Sequence, residues 1–374
     1  MRTSIKHAAF AGLMLAGAAL VTANRQAAPP AQSPTPTPAP PPIRLPLTSL
    51  KPDAMIEGGG DRHIAVTPDG VWLSNRVAGT LTRIDPKTNM PGAPVPAGPS
   101  GSGPCQPVVS AFKSLWIALC DSKGLVRLNV PAEKSEEKPG EKPTDKPTEK
   151  PGEKPADKPA EKSPATVAVD VRNAGPVAAG TGSIWMITDT AGTLARIDPD
   201  TNAVVAEITV PAGVSAMALG LGAVWVTSSS GHTVTRVNAA TNVVEETITV
   251  GRGPVSVAIG EASVWTMNGG DSTVSRIDPK TNKVTETIKS GVAGARGTIV
   301  VGEGSVWLSA SGTPLTRIDP AANRMVQQFS GPGGGSLAIG LKSLWLGATP
   351  TAIWRVDPRR VEATRPRRVE AARR

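Results

Sequence analysis

The sequence contains no tyrosine, three phenylalanines, two cysteines and three histidines. Each shortage excludes something. With so few other aromatics, the eight tryptophans supply most of the aromatic surface. His7 lies in the N-terminal leader, so His63 and His232 are the histidines left to the body. No CxxC pair or Cys/His cluster occurs, which disfavours zinc and thioredoxin-like sites. There is no Gly-x-Ser-x-Gly elbow, no acidic cluster with calcium-loop spacing and no other cofactor signature. No stretch after residue 23 is apolar enough to cross a bilayer. A basic stripe interleaved with aromatics is also missing, although the net charge is +9. Arg2 and Lys6 supply part of that charge, and 359–374, with seven Arg and two Glu, supplies more. The rest is close to neutral, so nucleic-acid binding by the folded body is not expected.

What is present begins with an export signature. Arg2 and Lys6 precede an apolar run at 8–21, and Val21-Thr22-Ala23 offers small residues for cleavage. A secretory leader over 1–23 is the expected reading, which places the mature chain in the periplasm or outside the cell. An uncleaved anchor is the alternative, although the run is short for a spanning helix. No cysteine follows it, so a lipid anchor is not indicated. Residues 24–45 are rich in Pro, Thr and Ala and read as an extended spacer. Residues 132–164 repeat acid-Lys-Pro, with eight Lys and nine acidic residues, and read as a disordered insertion. The repetitive end 365–374 reads as a disordered basic tail. It offers weak contact with anionic envelope polymers through charge, or it is simply solvated.

The rest is a repeat. In 253–291, short β-branched runs at 254–259, 263–267, 273–277 and 284–288 are separated by turn residues such as Asp278-Pro279-Lys280-Thr281-Asn282. A tryptophan marks the second run of each copy: Trp72, Trp116, Trp185, Trp225, Trp265, Trp307 and Trp345. Their spacings are 44, 69, 40, 40, 42 and 38, and the long one contains the insertion. Arg83, Arg127, Arg196, Arg236, Arg276, Arg317 and Arg355 mark the third run and give the same count of seven. Four strands repeated at a period near forty predict an all-β chain, a seven-bladed β-propeller over 46–364. The tryptophans are expected to pack blade against blade. The arginines are expected to pair with Asp85, Asp198, Asp278, Asp319 or Asp357, two residues on or in a neighbouring blade. Two segments could close the ring: 53–58 from the N-terminal side, which is preferred, or 357–364 from the C-terminal side. Cys105 and Cys120 flank a hairpin with strands at 107–111 and 115–119. An exported chain would join them in a disulfide; two buried thiols are the alternative.

The pattern VWVTSSSGHTVTRVNAATNVVEETITVGRGPVSVAIG over 224–260 resembles the YVTN-type, YncE-like propeller repeats. Copies three to six follow that pattern closely. The resemblance implies an exported seven-bladed propeller with a binding or scaffolding role. A weaker resemblance to virginiamycin B lyase implies a propeller hydrolase or lyase as the alternative function. That family's glutamate-bearing blades and histidine-lined magnesium site have no clear counterpart here, so no catalytic residue or metal ligand is assigned.

Functional residues are expected where the repeat is broken. In a four-stranded meander the first and third turns share one face, and the insertion emerges there. The second turns and the links between blades share the other. That second face is the expected mouth for a protein or small-molecule ligand of a monomeric propeller. Its candidates are Arg62, His63, Asn75, Asp121, Asp189, His232, Arg252, Asn268, Asp271 and Arg296.

Overall fold

The computed structural model describes residues 40–57, 62–68, 70–99, 102–119, 124–129, 165–167 and 174–364, with backbone alone at Arg62 and 165–167. The leader, most of the spacer, the insertion, Asp61, Cys120, Asp121 and the tail 365–374 lie outside the described residues. From Pro41 onward the chain forms one unit.

Seven sheets make up that unit, six antiparallel sheets of four strands and one of five that adds a parallel edge strand. The innermost strands of successive blades touch from blade two round to blade seven and on to blade one. Apolar packing joins blades one and two and completes the circle. The seven-bladed propeller predicted from the tryptophan count is the fold observed. The copy at 253–291 has strands Pro254–Gly260, Ser263–Asn268, Thr273–Asp278 and Lys283–Lys289.

Each second strand lies between two other sheets, and its pleat sends alternate residues to opposite interfaces. Val224 and Val226 face blade three, whereas Trp225 packs against blade five. This explains why second strands are buried along nearly their whole length, with apolar residues on both sides of each tryptophan in most copies. The core is thus seven wedges, one per gap between blades, and each contains the tryptophan of its earlier blade. Six of these tryptophans are fully buried and Trp72 is 7 % exposed.

The N-terminal segment closes the ring, as preferred from sequence. Ala54–Glu57 pairs antiparallel with Ala352–Val356 and becomes the outer strand of blade seven. Two features were not foreseen. Ile43–Pro46, three of whose residues composition assigns to the spacer, pairs parallel with Arg324–Ser330 as a fifth strand of blade six. The competing segment 357–364 folds as a short helix, Pro358–Ala363, capped by the Asp357 side chain. Val361 of that helix joins Leu47, Leu50 and Phe329 in the wedge between blades six and seven. Asp53 links the two chain ends. Its Oδ2 accepts from Asp357 N at 2.6 Å, and its Oδ1 lies 3.2 Å from the Arg360 guanidinium.

Candidate functional site

The two ends of each blade are built differently. On the third-turn side, Asp (Asn238 in blade four) opens the turn and accepts backbone N–H groups of the following residues. Asp198 Oδ1 takes Asp200 N and Thr201 N, both at 2.9 Å. Asn closes the turn in the left-handed region, with φ of 59°, 60°, 62°, 56° and 48° at Asn89, Asn202, Asn242, Asn282 and Asn323. Asn tolerates that conformation better than most residues. The register shifts at Arg196, Arg236, Arg276 and Arg317, a bulge of the kind that re-aims a side chain.

The arginines of blades two to seven do not make the expected pairs with Asp. In blades two to seven each guanidinium stacks over its own blade's tryptophan, 4.9–5.9 Å from the ring centroid. Its Nε donates to the serine two residues before that tryptophan, for example Arg276 to Ser263 at 2.9 Å. Its Nη1 crosses into the next blade: Arg276 donates to Pro320 O at 2.8 Å and to Asn323 Oδ1 at 2.9 Å. Arg355 reaches Asn89 of blade one in the same way, at 2.9 Å. Blade four has Ala223 where the serine should be, and Glu245 stands 2.7 Å from Arg236 Nε instead. Blade seven has no such turn, so Arg317 pairs with Glu362 of the terminal helix. The physical reason is plain. Each turn aspartate is held by its own backbone amides, which also keep Asp85, Asp198 and Asp278 below the ordinary carboxylate range, and the guanidinium bonds the next blade's asparagine instead.

Among the described residues the second-turn side repeats no such device. Its turns carry Asn75-Arg76, Asp189, Ser228 with His232, Asn268 with Asp271, Ser311 and Thr349. Several predicted mouth residues are spent on local structure. Asn268 is fully buried; its Nδ2 donates to Thr273 Oγ1 at 3.0 Å and Ser275 Oγ at 2.9 Å, while Thr266 donates to its Oδ1. Asp189 accepts from Gly192 N, Thr193 N and the Thr193 hydroxyl, and that hydroxyl chiefly lowers its pKa. Asn75 Oδ1 accepts from Ala78 N at 3.0 Å. Arg62 and His63 begin the inner strand of blade one, with Cα partners Asn75 and Ser74.

Three candidates do come together between blades four and five. His232, in a left-handed conformation, accepts Gly253 N on Nδ1 at 3.1 Å. Asp271 Oδ2 accepts Arg252 N at 2.7 Å, and Arg252 O receives Gly270 N at 3.0 Å. Arg296 is exposed on the next link. His63 and His232 sit in blades one and four, and the described residues contain no group of three His, Cys, Asp or Glu able to hold a metal. Two positions missed from sequence, Arg44 and Lys289, stand beside this cluster. They belong to strands, where a charged residue carries no turn signal.

Cys105 lies at the base of the blade-two hairpin. Its N–H donates to Ala118 O at 3.2 Å and its Sγ lies 3.7 Å from the same oxygen. The hairpin strands are Val109–Ala111 and Ser114–Leu119. The pairing shifts by two residues toward the hairpin base, where Pro104 faces Leu119.

No family model matches the chain, and no curated protein matches it. Among solved structures, BamB from Moraxella catarrhalis is similar at 12% identity and a TM-score of 0.56, covering 82% of this chain and 97% of that chain. The Kuenenia stuttgartiensis hydrazine synthase is similar at 14% identity and a TM-score of 0.43, covering 48% of this chain and 56% of that one. At these identities the first likeness speaks for the propeller fold alone, and the second carries no argument.

Proposed function

We propose that this chain is an exported YVTN-type propeller that works as a binding scaffold in the cell envelope. Its ligand, a protein or a small molecule, docks on the face made by second turns and blade links. The observation that carries this reading is the difference between the two faces. The third-turn end is occupied by a repeated arginine, tryptophan and asparagine device that holds blades together. The second-turn end varies from blade to blade and leaves Ser230, Arg252, Asp271 and Arg296 exposed. Export rests on residues 1–23, and a Cys105–Cys120 disulfide fits an oxidising compartment.

Site-specific photo-crosslinking in cells tests the choice of face. A photoreactive residue at Ser230, Ala295 or Ser311 should yield adducts with one partner. The same residue at Ala240, Thr281 or Ala321, on third turns, should yield none. Adducts from the third-turn set alone would refute the assignment.

A further inference from the structure

The second-turn face is not electrostatically uniform. Around the blade-five turn stand four exposed cations: Arg44, Arg252, Lys289 and Arg296. Arg252 lies on the link entering blade five and Arg296 on the link leaving it. Lys289 ends the outer strand of blade five, opposite Thr273. Arg44 projects from the added strand of blade six; a Cβ on Gly291 would lie 3.8 Å from its Nη2. The turn is wedged between the two links. Gly269 N donates to Gly253 O at 2.9 Å, and Gly294 N donates to Gly269 O at 3.1 Å. None of the four cations has an ion-pair partner among the described residues. The carboxylate at the turn, Asp271, is held by Arg252 N, Thr273 N and the Thr273 hydroxyl. Glu286 is further down the same outer strand, level with Arg276. At its other end blade five is balanced, with Glu261 and Asp278 against Lys280 and Lys283.

We infer that this sector of the mouth binds an extended acidic polypeptide segment. The inference rests on the binding-face reading above and adds the chemistry of the ligand. Four cations spread over two links and two outer strands match a ligand carrying several carboxylates along its length rather than one small anion. A membrane surface fits less well. The exposed large apolar side chains, such as Met55, Val77 and Phe112, lie elsewhere, and none falls in 251–253, 268–272 or 289–297, whereas interfacial binding needs apolar anchors beside the charge.

The test is fluorescence anisotropy of a labelled twelve-residue glutamate-serine peptide with the full-length chain. A triple variant Arg252→Glu, Lys289→Glu, Arg296→Glu should weaken binding on the order of tenfold or more, since each exposed pair contributes about 0.2–1 kcal/mol and reversal turns attraction into repulsion. A control at the other end, Lys280→Glu with Lys283→Glu, should change affinity less than about twofold, being separated by well over a Debye length of about 10 Å. The basic tail is common to all these proteins and cancels in the comparison. Because the substituted residues are exposed, both variants should melt like the parent; should the triple variant not, Arg252→Gln with Arg296→Gln replaces it, with a several-fold loss expected. Equal loss in the control, or no binding by the parent, overturns the inference, as does binding of anionic phospholipid vesicles but not of the peptide. If crosslinks still map to the second-turn face while the peptide fails, the acidic-ligand inference falls and the binding-face reading stands.

Discussion

At the scale of single residues, the ring depends on an asparagine that the sequence presents as an ordinary turn former. Asn282 does two jobs: it occupies φ of 56° and its Oδ1 accepts from Arg236 Nη1 at 2.8 Å. The two separate by substitution. Asn282→Gly keeps the conformation and removes the acceptor, which should cost about 1.5–3 kcal/mol, the range for a hydrogen bond to a charged group. Asn282→Ala removes the acceptor and adds about 1–2 kcal/mol of left-handed strain. Urea unfolding of both variants checks the order; if alanine is no worse than glycine, the turn conformation is not under strain. The arginine's true partner was hidden by distance. For Arg276 the expected aspartate, Asp278, stands two residues away, whereas the observed asparagine, Asn323, stands 47 residues on, in another blade. Asn268 misled in the opposite direction, because a polar residue at a turn gives no hint that Thr266 and Ser275 bury it.

At the scale of elements, the blades were legible because the requirement repeats. A second strand squeezed between two sheets is buried on both faces, so an aliphatic residue precedes the tryptophan in every copy and, except for Thr266, an apolar residue follows it. The chain ends carry no such repetition. Ile43-Arg-Leu-Pro46 is a four-residue alternation inside a proline-rich stretch, and its pairing with blade six follows from the covalent path into Ala54–Glu57 rather than from composition. The helix at Pro358–Ala363 was masked by its likeness to a turn and outer strand. These ends make unequal contributions to stability. Deleting residues up to 46 removes a half-exposed strand and should cost about 1–3 kcal/mol, within the range of one partly buried apolar cluster. Deleting up to 57 also removes Leu47, Leu50 and Ile56, each 2–3 % exposed. At about 1.5–3 kcal/mol apiece that loss rivals the whole stability of an ordinary domain. Circular dichroism melts should therefore show a modest shift for the shorter deletion and no folded baseline for the longer. Equal melting of the two would mean that the fourth strand of blade seven is dispensable.

At the scale of the whole molecule, closure changes what a repeat protein does when one interface is weakened. In an open array each unit contacts its neighbours alone and the ends fray, so a damaged unit can melt by itself. Here every blade has two neighbours, and each wedge of core is shared by consecutive blades, with the last wedge joining blade seven to blade one. Opening one gap therefore exposes two sheet faces while the chain remains held on the far side of the ring. Local melting gains little chain entropy for the surface it exposes, which favours global unfolding. Trp225→Ala and Trp265→Ala should each cost about 3–5 kcal/mol, the usual range for a large aromatic deleted from a core. Because the transition stays global, both should lower the urea midpoint and leave the slope of stability against urea unchanged. A reduced slope, or two transitions in one variant and one in the other, would mean that the gaps between blades four, five and six melt independently. The ring would then behave as seven coupled repeats rather than as one cooperative body.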